Sequence, residues 1–216
     1  MSDDVALARA RAAVDEVHSR ISQLDDNALD LIFRSARNHN KWQDREVPEA
    51  LLRQAWDIAR MGPTSANGQP MRIVFVRGKE AKEKLRPAMA PANADKTMVA
   101  PYTAIVAYDL DYWKLLPRLY PIRDMSAMFK DNRAFAEEHA ARNGTLQGAY
   151  LIVALRALGL DAGGMSGFNR KAVDDTFFAG TAVRSNFLIN IGYGHSDGIM
   201  GPRLPRLEFD EGCKIV

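Results

Sequence analysis

Apolar positions along this chain change their spacing at identifiable points, and each change predicts an element. Val14, Val17, Ile21 and Leu24 recur at helical intervals within the first two dozen residues. The Asp/Asn cluster of LDDNALDLIF precedes Leu29, Ile32 and Phe33 and predicts a second helix opening there. Pro48 opens a third, with Leu51, Leu52, Ala55, Trp56 and Ala59 on one broad face and a stop at Gly62. Short continuous runs then replace the helical period. Arg72–Val76, between Pro70 and Gly78, and Thr103–Tyr108 read as buried strands, with a charged helix from Lys79 to about Leu85 between them. The stretch 110–130 mixes Trp, Tyr, Pro and Met without a period and predicts an irregular lobe with short helices.

Farther on, 133–158 predicts one long helix closed by Gly159 at its C′ position. Gly144 and Gly148 lie inside it, a mild helical cost that would let another helix approach closely. GLDAGGMSGF predicts a strand end and a glycine turn, and Asn169 caps a short helix carrying Val173 and Phe177. Asn186–Gly194 is the third strong strand. The residues after Gly194 have no strong period, yet Leu204, Leu207 and Phe209 need cover, and a partner subunit is one candidate. Helices interleaved with a few strands, without repeats or linkers, indicate a single α/β or α+β domain.

Composition narrows the function. With 29 basic against 27 acidic residues the formal net charge is +2, which makes no general case for nucleic acid or an anionic membrane but leaves room for a local phosphate pocket. Cys213 is the one cysteine, so no internal disulfide can form and a reducing, cytoplasmic setting is expected. It has no activating base nearby in sequence and reads as a bystander. The charged N-terminus lacks an apolar signal core, and no run approaches the ~18 uncharged apolar residues of a membrane span. His18, His39, His139 and His195 show no metal spacing, so no metal site is expected. GxGxxG, GxxxxGK[ST] and GxSxG are all absent, which removes the Rossmann, P-loop and serine-hydrolase readings.

Five polar corners remain as candidates. RSARNHNKW gathers Arg37, Asn38 and Asn40, suited to a phosphate through a bidentate guanidinium and neutral amides, or simply a solvated helix end. GPTSANGQP offers Thr64, Ser65, Asn67 and Gln69 between Pro63 and Pro70; such a loop either closes an Asx- or ST-turn or matches a planar ring edge of alternating C=O and N–H groups. Asn93 and Lys96 are spaced to share a helical face just before the second strand. GGMSGF, with Ser166 and Gly167, bares backbone N–H groups. GPRLPRLEF adds Arg203 and Arg206, which are phosphate ligands or ordinary tail charges.

Taken in order, these corners resemble the flavin-dependent nitroreductase superfamily, from about Leu24 to the C-terminus. Its pattern has an Arg-rich corner, P-[ST]-S-x-N-x-Q-P, an N-x-x-K pair, a glycine turn ending x-x-G-F and a late Arg. Within it, ARNHNKW, GPTSANGQPMRIVFVR, LIVALRALGLDAGGMSGF, VDDTFF and SNFLINIGYG are most similar to the malonic semialdehyde reductase branch of pyrimidine degradation. The resemblance implies an α+β nitroreductase-like fold over 25–216, with a small central mixed sheet surrounded by helices and a C-terminal tail exchanged across a homodimer. Residues 1–24 would be a helical extension. It implies one FMN at each of two subunit interfaces, NAD(P)H as reductant and a small aldehyde as second substrate. Arg37, Asn38, Asn40, Arg203 and Arg206 would lie around the phosphate and ribityl chain; Pro63, Thr64, Ser65 and Asn67 along the ring; Asn93 and Lys96 at the pyrimidine edge; Ser166 and Gly167 near N5. Asn40 departs from the second basic residue of many relatives. The expected chemistry is ping-pong hydride transfer, with Lys96 stabilising the anionic reduced ring and Arg123 or Arg133 meeting the substrate carboxylate. A broad nitroaromatic or quinone reductase is the alternative within this family, and a non-catalytic interaction module the alternative outside it.

Overall fold

A computed structural model describes residues 3–216; Met1 and Ser2 of the expected extension lie outside the described residues. The chain forms two units, Met1–Ala36 and Arg37–Val216. In the first, α1 (Asp3–Arg20) ends before Ile21, so only part of the expected apolar stripe is helical. Val14 and Val17 on it are exposed. The next helix, α2 (Asp26–Leu29), starts where Asp25 accepts a hydrogen bond from the Ala28 N–H at 2.7 Å. It runs into a π-helical turn, Asp30–Arg34. Arg34 reaches back to Asp26 at 2.7 Å and Asp30 at 3.0 Å.

The second unit opens with α3 (Glu49–Ala59), β1 (Met71–Arg77), α4 (Gly78–Leu85), α5 (Pro91–Val99) and β2 (Tyr102–Asp109). The irregular lobe follows as expected, with short helices α6 (Leu116–Leu119) and α7 (Ser126–Lys130). Then come α8 (Arg133–Ala157), β3 (Asp161–Met165), α9 (Arg170–Phe177), β4 (Val183–Gly192) and α10 (Phe209–Gly212). Strand and helix ends fall close to their expected places, because Pro48, Gly159 and Asn169 act as punctuation. Pro48 is the N-cap of α3, Gly159 sits at φ +78° after α8, and the Asn169 side chain accepts the Ala172 N–H at 3.0 Å.

The strands form one sheet in the order β1-β2-β4-β3. This corrects the expected mixed sheet: every pair is antiparallel. The two strands that run alike on one side, β2 and β3, are kept apart by β4, so no parallel ladder arises within the described residues. Register fixes the two ends of the β1–β2 ribbon. Met71 faces Tyr108 at one end and Arg77 faces Tyr102 at the other. A strand of this length spans about 20 Å.

The long helix crosses one face of the sheet through its glycines. A Cβ at Gly148 would stand 2.5 Å from the Phe187 ring and 3.0 Å from Val106, and one at Gly144 would stand 2.9 Å from Tyr108. What approaches these glycines is therefore the sheet and not another helix, as their spacing had suggested. Leu151, Ala154 and Leu155 of α8 complete a core with Ala104, Val106, Ile189 and Ile191. On the opposite face Ile105, Ala107 and Leu188 pack with Leu85, Val173 and Phe178.

Candidate functional site

The corner before β1 is tightly held. Ala66, Asn67 and Gln69 take positive φ values of 52°, 48° and 43°, an uncommon setting for residues other than glycine and one that persists only under outside constraint. The constraint comes from three sides. Asn143 on α8 accepts the Ser65 N–H at 2.8 Å, Thr64 Oγ1 accepts the Gln69 N–H at 3.3 Å, and Asn67 Nδ2 donates to the Leu119 carbonyl at 2.8 Å. Asn67 Oδ1 is also engaged, by Gln69 Nε2 at 2.8 Å. Tyr150 donates to the Pro63 carbonyl at 3.2 Å.

A second polar group lies elsewhere on the sheet. Arg37, half-buried, donates to the Gly201 carbonyl at 2.7 Å, and Asn38 Nδ2 lies 3.4 Å from the Gly164 carbonyl. The backbone of this segment is pinned: Asn40 N–H donates to Gly198 at 3.0 Å, and His195 N–H donates to Lys41 at 3.1 Å. His39 stands between Asp161 Oδ1 at 3.3 Å and the His195 carbonyl at 3.1 Å. Burial lowers the pKa of Arg156, Asp161 opposes that shift, and Arg203 adds to it, which puts Arg203 in the electrostatic field of this corner. Arg206 is placed differently. It donates to the Leu204 and Pro205 carbonyls of its own tail, at 2.9 and 3.1 Å.

The same group takes in α5 and the glycine turn. Asn93 Nδ2 donates to the Gly167 carbonyl at 3.0 Å, while the Ala90 N–H reaches the same oxygen. A side chain at Gly167 would collide with Asn93, so glycine is required for this approach. Asn93 Oδ1 accepts nothing among the described residues. Half-buried Lys96 likewise makes no hydrogen bond or ion pair with its ammonium there, though its carbonyl accepts from Asn190 at 3.3 Å. Asn40 and Lys96 line one open groove of about 1000 Å³ with Trp42, Arg45 and Met200.

The predicted residues thus fall into two sets. Arg37, Asn38, Asn40, Asn93, Lys96, Gly167 and Arg203 belong with β3, the glycine turn that follows it and α5, where Ser166 is exposed. Pro63, Thr64, Ser65 and Asn67 belong with the loop before β1, at the opposite edge of the sheet. No hydrogen bond among the described residues joins the two sets.

Sequence reasoning missed several residues that hold these sets. Asn143 supports the Ser65 loop, and its sequence context does not mark it out, since the same helical stripe also carries His139 and Gln147. The His39–Asp161 pair is separated by the whole middle of the chain and leaves no local trace. Lys82 read as one more charge in a charged helix, yet it is 2 % exposed.

An antiparallel sheet wrapped by helices, with polar loops at its edges, is an α+β architecture. No group of three His, Cys, Asp or Glu among the described residues is placed to hold a metal. The Nitroreductase family profile matches residues 34–193, and the chain belongs to that family. A Stenotrophomonas maltophilia protein provisionally named NADH dehydrogenase/NAD(P)H nitroreductase is 55 % identical over 193 residues, 89 % of this chain and 98 % of its own. Among solved structures, Bacillus subtilis ydfN, described as a nitroreductase, superposes with a TM-score of 0.76 at 19 % identity, covering 86 % of this chain and 97 % of that one. An Exiguobacterium sibiricum nitroreductase solved in complex with FMN superposes at 0.75 and 18 % identity, covering 90 % and 99 %.

Proposed function

We propose that this protein is an FMN-dependent NAD(P)H oxidoreductase acting as a homodimer, with malonic semialdehyde as its physiological acceptor and 3-hydroxypropanoate as product. The observation that carries the cofactor reading is the unused pair on α5. An acceptor, Asn93 Oδ1, beside the glycine turn and a cation, Lys96 Nζ, one helical turn on have no partner among the described residues, which suits the imide edge of a flavin. FMN, when bound, supplies the relay of two electrons and a proton equivalent between nicotinamide and acceptor. Arg37 would hold the phosphate, with Asn38 and Arg203 beside it. Asn93 orients the pyrimidine edge, Lys96 sets positive charge against it, and the Gly167 backbone admits close approach.

The dimer follows from the division of the site. Loop 63–69 leads into β1 while α5 and the glycine turn lie by β3, the opposite edges of a four-stranded sheet and about 14 Å apart at the usual strand spacing, farther than one isoalloxazine ring reaches. Two chains related by a two-fold axis bring each chain's loop to the other's α5, and the exposed tail, exchanged between them, is the natural strap.

Overall, aldehyde, NAD(P)H and a proton give alcohol and NAD(P)⁺. The proton comes from water, since the site offers no assured side-chain acid. Of the two cations expected to meet the substrate carboxylate, Arg133 is already paired with Asp111 at 3.2 Å, which leaves Arg123. The name of the 55 %-identical relative favours a second reading, a broad nitroaromatic reductase.

Purified protein should be yellow and bleach with NADPH under anaerobic conditions. Turnover of malonic semialdehyde should exceed that of a nitroaromatic, and equal efficiencies would remove the semialdehyde assignment. Lys96→Ala should slow bleaching about 100-fold while loosening FMN less; an unchanged stopped-flow rate would end the role given to Lys96.

A further inference from the structure

Helix α4 turns one lysine inward. Lys82 is 2 % exposed, no carboxylate among the described residues pairs with it, and its Nζ lies 2.5 Å from the Thr97 carbonyl, 2.9 Å from the Ala100 carbonyl and 2.8 Å from Thr103 Oγ1. The hydrogen bonds beyond it fix its protonation. Asn190 Nδ2 faces the Lys96 carbonyl at 3.3 Å and Thr97 Oγ1 at 3.4 Å, so Asn190 Oδ1 is left as the acceptor for Thr103, 2.7 Å away. Thr103 spends its one proton there and can only accept from Lys82. All three neighbours of Nζ are therefore acceptors, and three N–H donors are needed: the ammonium form. Burial alone would bring this amine down to about 7. The three acceptors act against that.

These contacts converge on one place. The last carbonyls of a helix have no partner within it, and Lys96, Thr97 and Ala100 supply such carbonyls at the end of α5. Lys82 takes two of them and Asn190 the third. A cation at a helix carboxyl end also opposes the helix dipole. The residue that presents its free ammonium to the site, Lys96, is thus held by its own carbonyl and by that of its neighbour Thr97.

We propose that Lys82 is a positioning residue for the cofactor site: its buried ammonium, relayed through Thr103 and Asn190, clamps the carboxyl end of α5 and fixes where Lys96 and Asn93 stand. This rests on the reading of Lys96 and Asn93 as cofactor contacts.

The test is a double-mutant cycle with a readout that needs no cofactor. In FMN-free Lys82→Met, amide exchange should accelerate across 91–100 and leave α8 and β4 unchanged. In the FMN-loaded protein, Lys82→Met should slow NADPH-driven bleaching about tenfold, a coupling-sized effect. It should also shift the visible band of bound FMN in the direction that Lys96→Ala shifts it, and it should add almost nothing in a Lys96→Ala background. Uniformly faster exchange, or equal slowing in both backgrounds, would overturn the proposal. Should Lys82→Met fail to fold, Thr103→Val, which removes one acceptor at nearly constant shape, decides the matter by the same pattern at smaller size. If Lys96→Ala alone leaves bleaching unchanged, the reading of Lys96 fails, while the exchange of α5 still reports on the clamp.

Discussion

His139 is a single residue with an acid-dependent consequence. It is buried on α8, stacked on Tyr112 at 5.2 Å and against Phe129 at 4.8 Å, and neither ring nitrogen has a partner among the described residues. Burial lowers its pKa from the ordinary 6.5, and Arg142 acts the same way. The folded protein therefore keeps this ring neutral, while the unfolded chain takes up a proton near pH 6.5. The contribution is intact above that pH and is lost as pH falls toward the depressed folded value. One turn later Asn143 holds the Ser65 N–H, so the strained loop stands on the same stretch of helix. His139→Phe keeps the stacking and removes the titration. Urea midpoints taken from pH 7.5 to 5 should fall less for the variant than for the parent, and parallel declines would refute this. At this scale the sequence was least informative: His139 reads the same as an exposed histidine, and Lys82 as any lysine of KEAKEKL. Their roles come from what lies across the fold, which no local pattern encodes. Only the i, i+3 pairing of Lys82 with buried Leu85 hinted that the lysine faces inward.

Elements were easier to read, because their limits are written in local chemistry. Asn169 caps α9, Gly159 stops α8, and the apolar runs around Val74, Ile105 and Ile189 are strands. Strand order was not legible, since it depends on long connections, and the sequence therefore did not announce that every pair is antiparallel. The two glycines of α8 show both sides of this. Their spacing announced a close approach, but only the fold identifies β2 and β4 as the partners. Gly148→Ala should accordingly destabilise by about 1–3 kcal/mol through overpacking against Phe187, despite the better helix propensity of alanine. Denaturant unfolding measures this directly, and a neutral or stabilising result would mean that Phe187 moves aside. The candidate site behaves likewise. Motif order predicted α5 and the 63–69 loop as polar corners, yet only the strand order shows that they stand at opposite edges of the sheet.

For the whole molecule, the unresolved demand is the tail. Leu204, Leu207 and Phe209 are 73 %, 73 % and 60 % exposed, and Ile215 and Val216 are more so. The segment is nonetheless ordered locally, with Glu208 and Glu211 closing a capping box around α10. A single chain offers such apolar side chains no cover, and exposed apolar stretches of this kind mark interaction surfaces. The other edge of the molecule is complementary. β1 is an edge strand, and beside Met71, Ile73 and Phe75 a second groove carries Arg53 and Arg118, with Arg72 and Arg77 already paired with Asp109 and Glu49. Glu208, Asp210 and Glu211 bring the opposite charge. If the tail straps two copies together and thereby seats loop 63–69 against the partner's α5, removing residues 203–216 takes no buried side chain from the core. It should still abolish both the dimer and FMN retention. Sedimentation should then show a folded monomer with native helical content and no visible absorbance. A truncated protein that stays dimeric and yellow would show that the site closes without the strap, and would return Leu207 and Phe209 to the ordinary exposed residues they resemble in one chain alone.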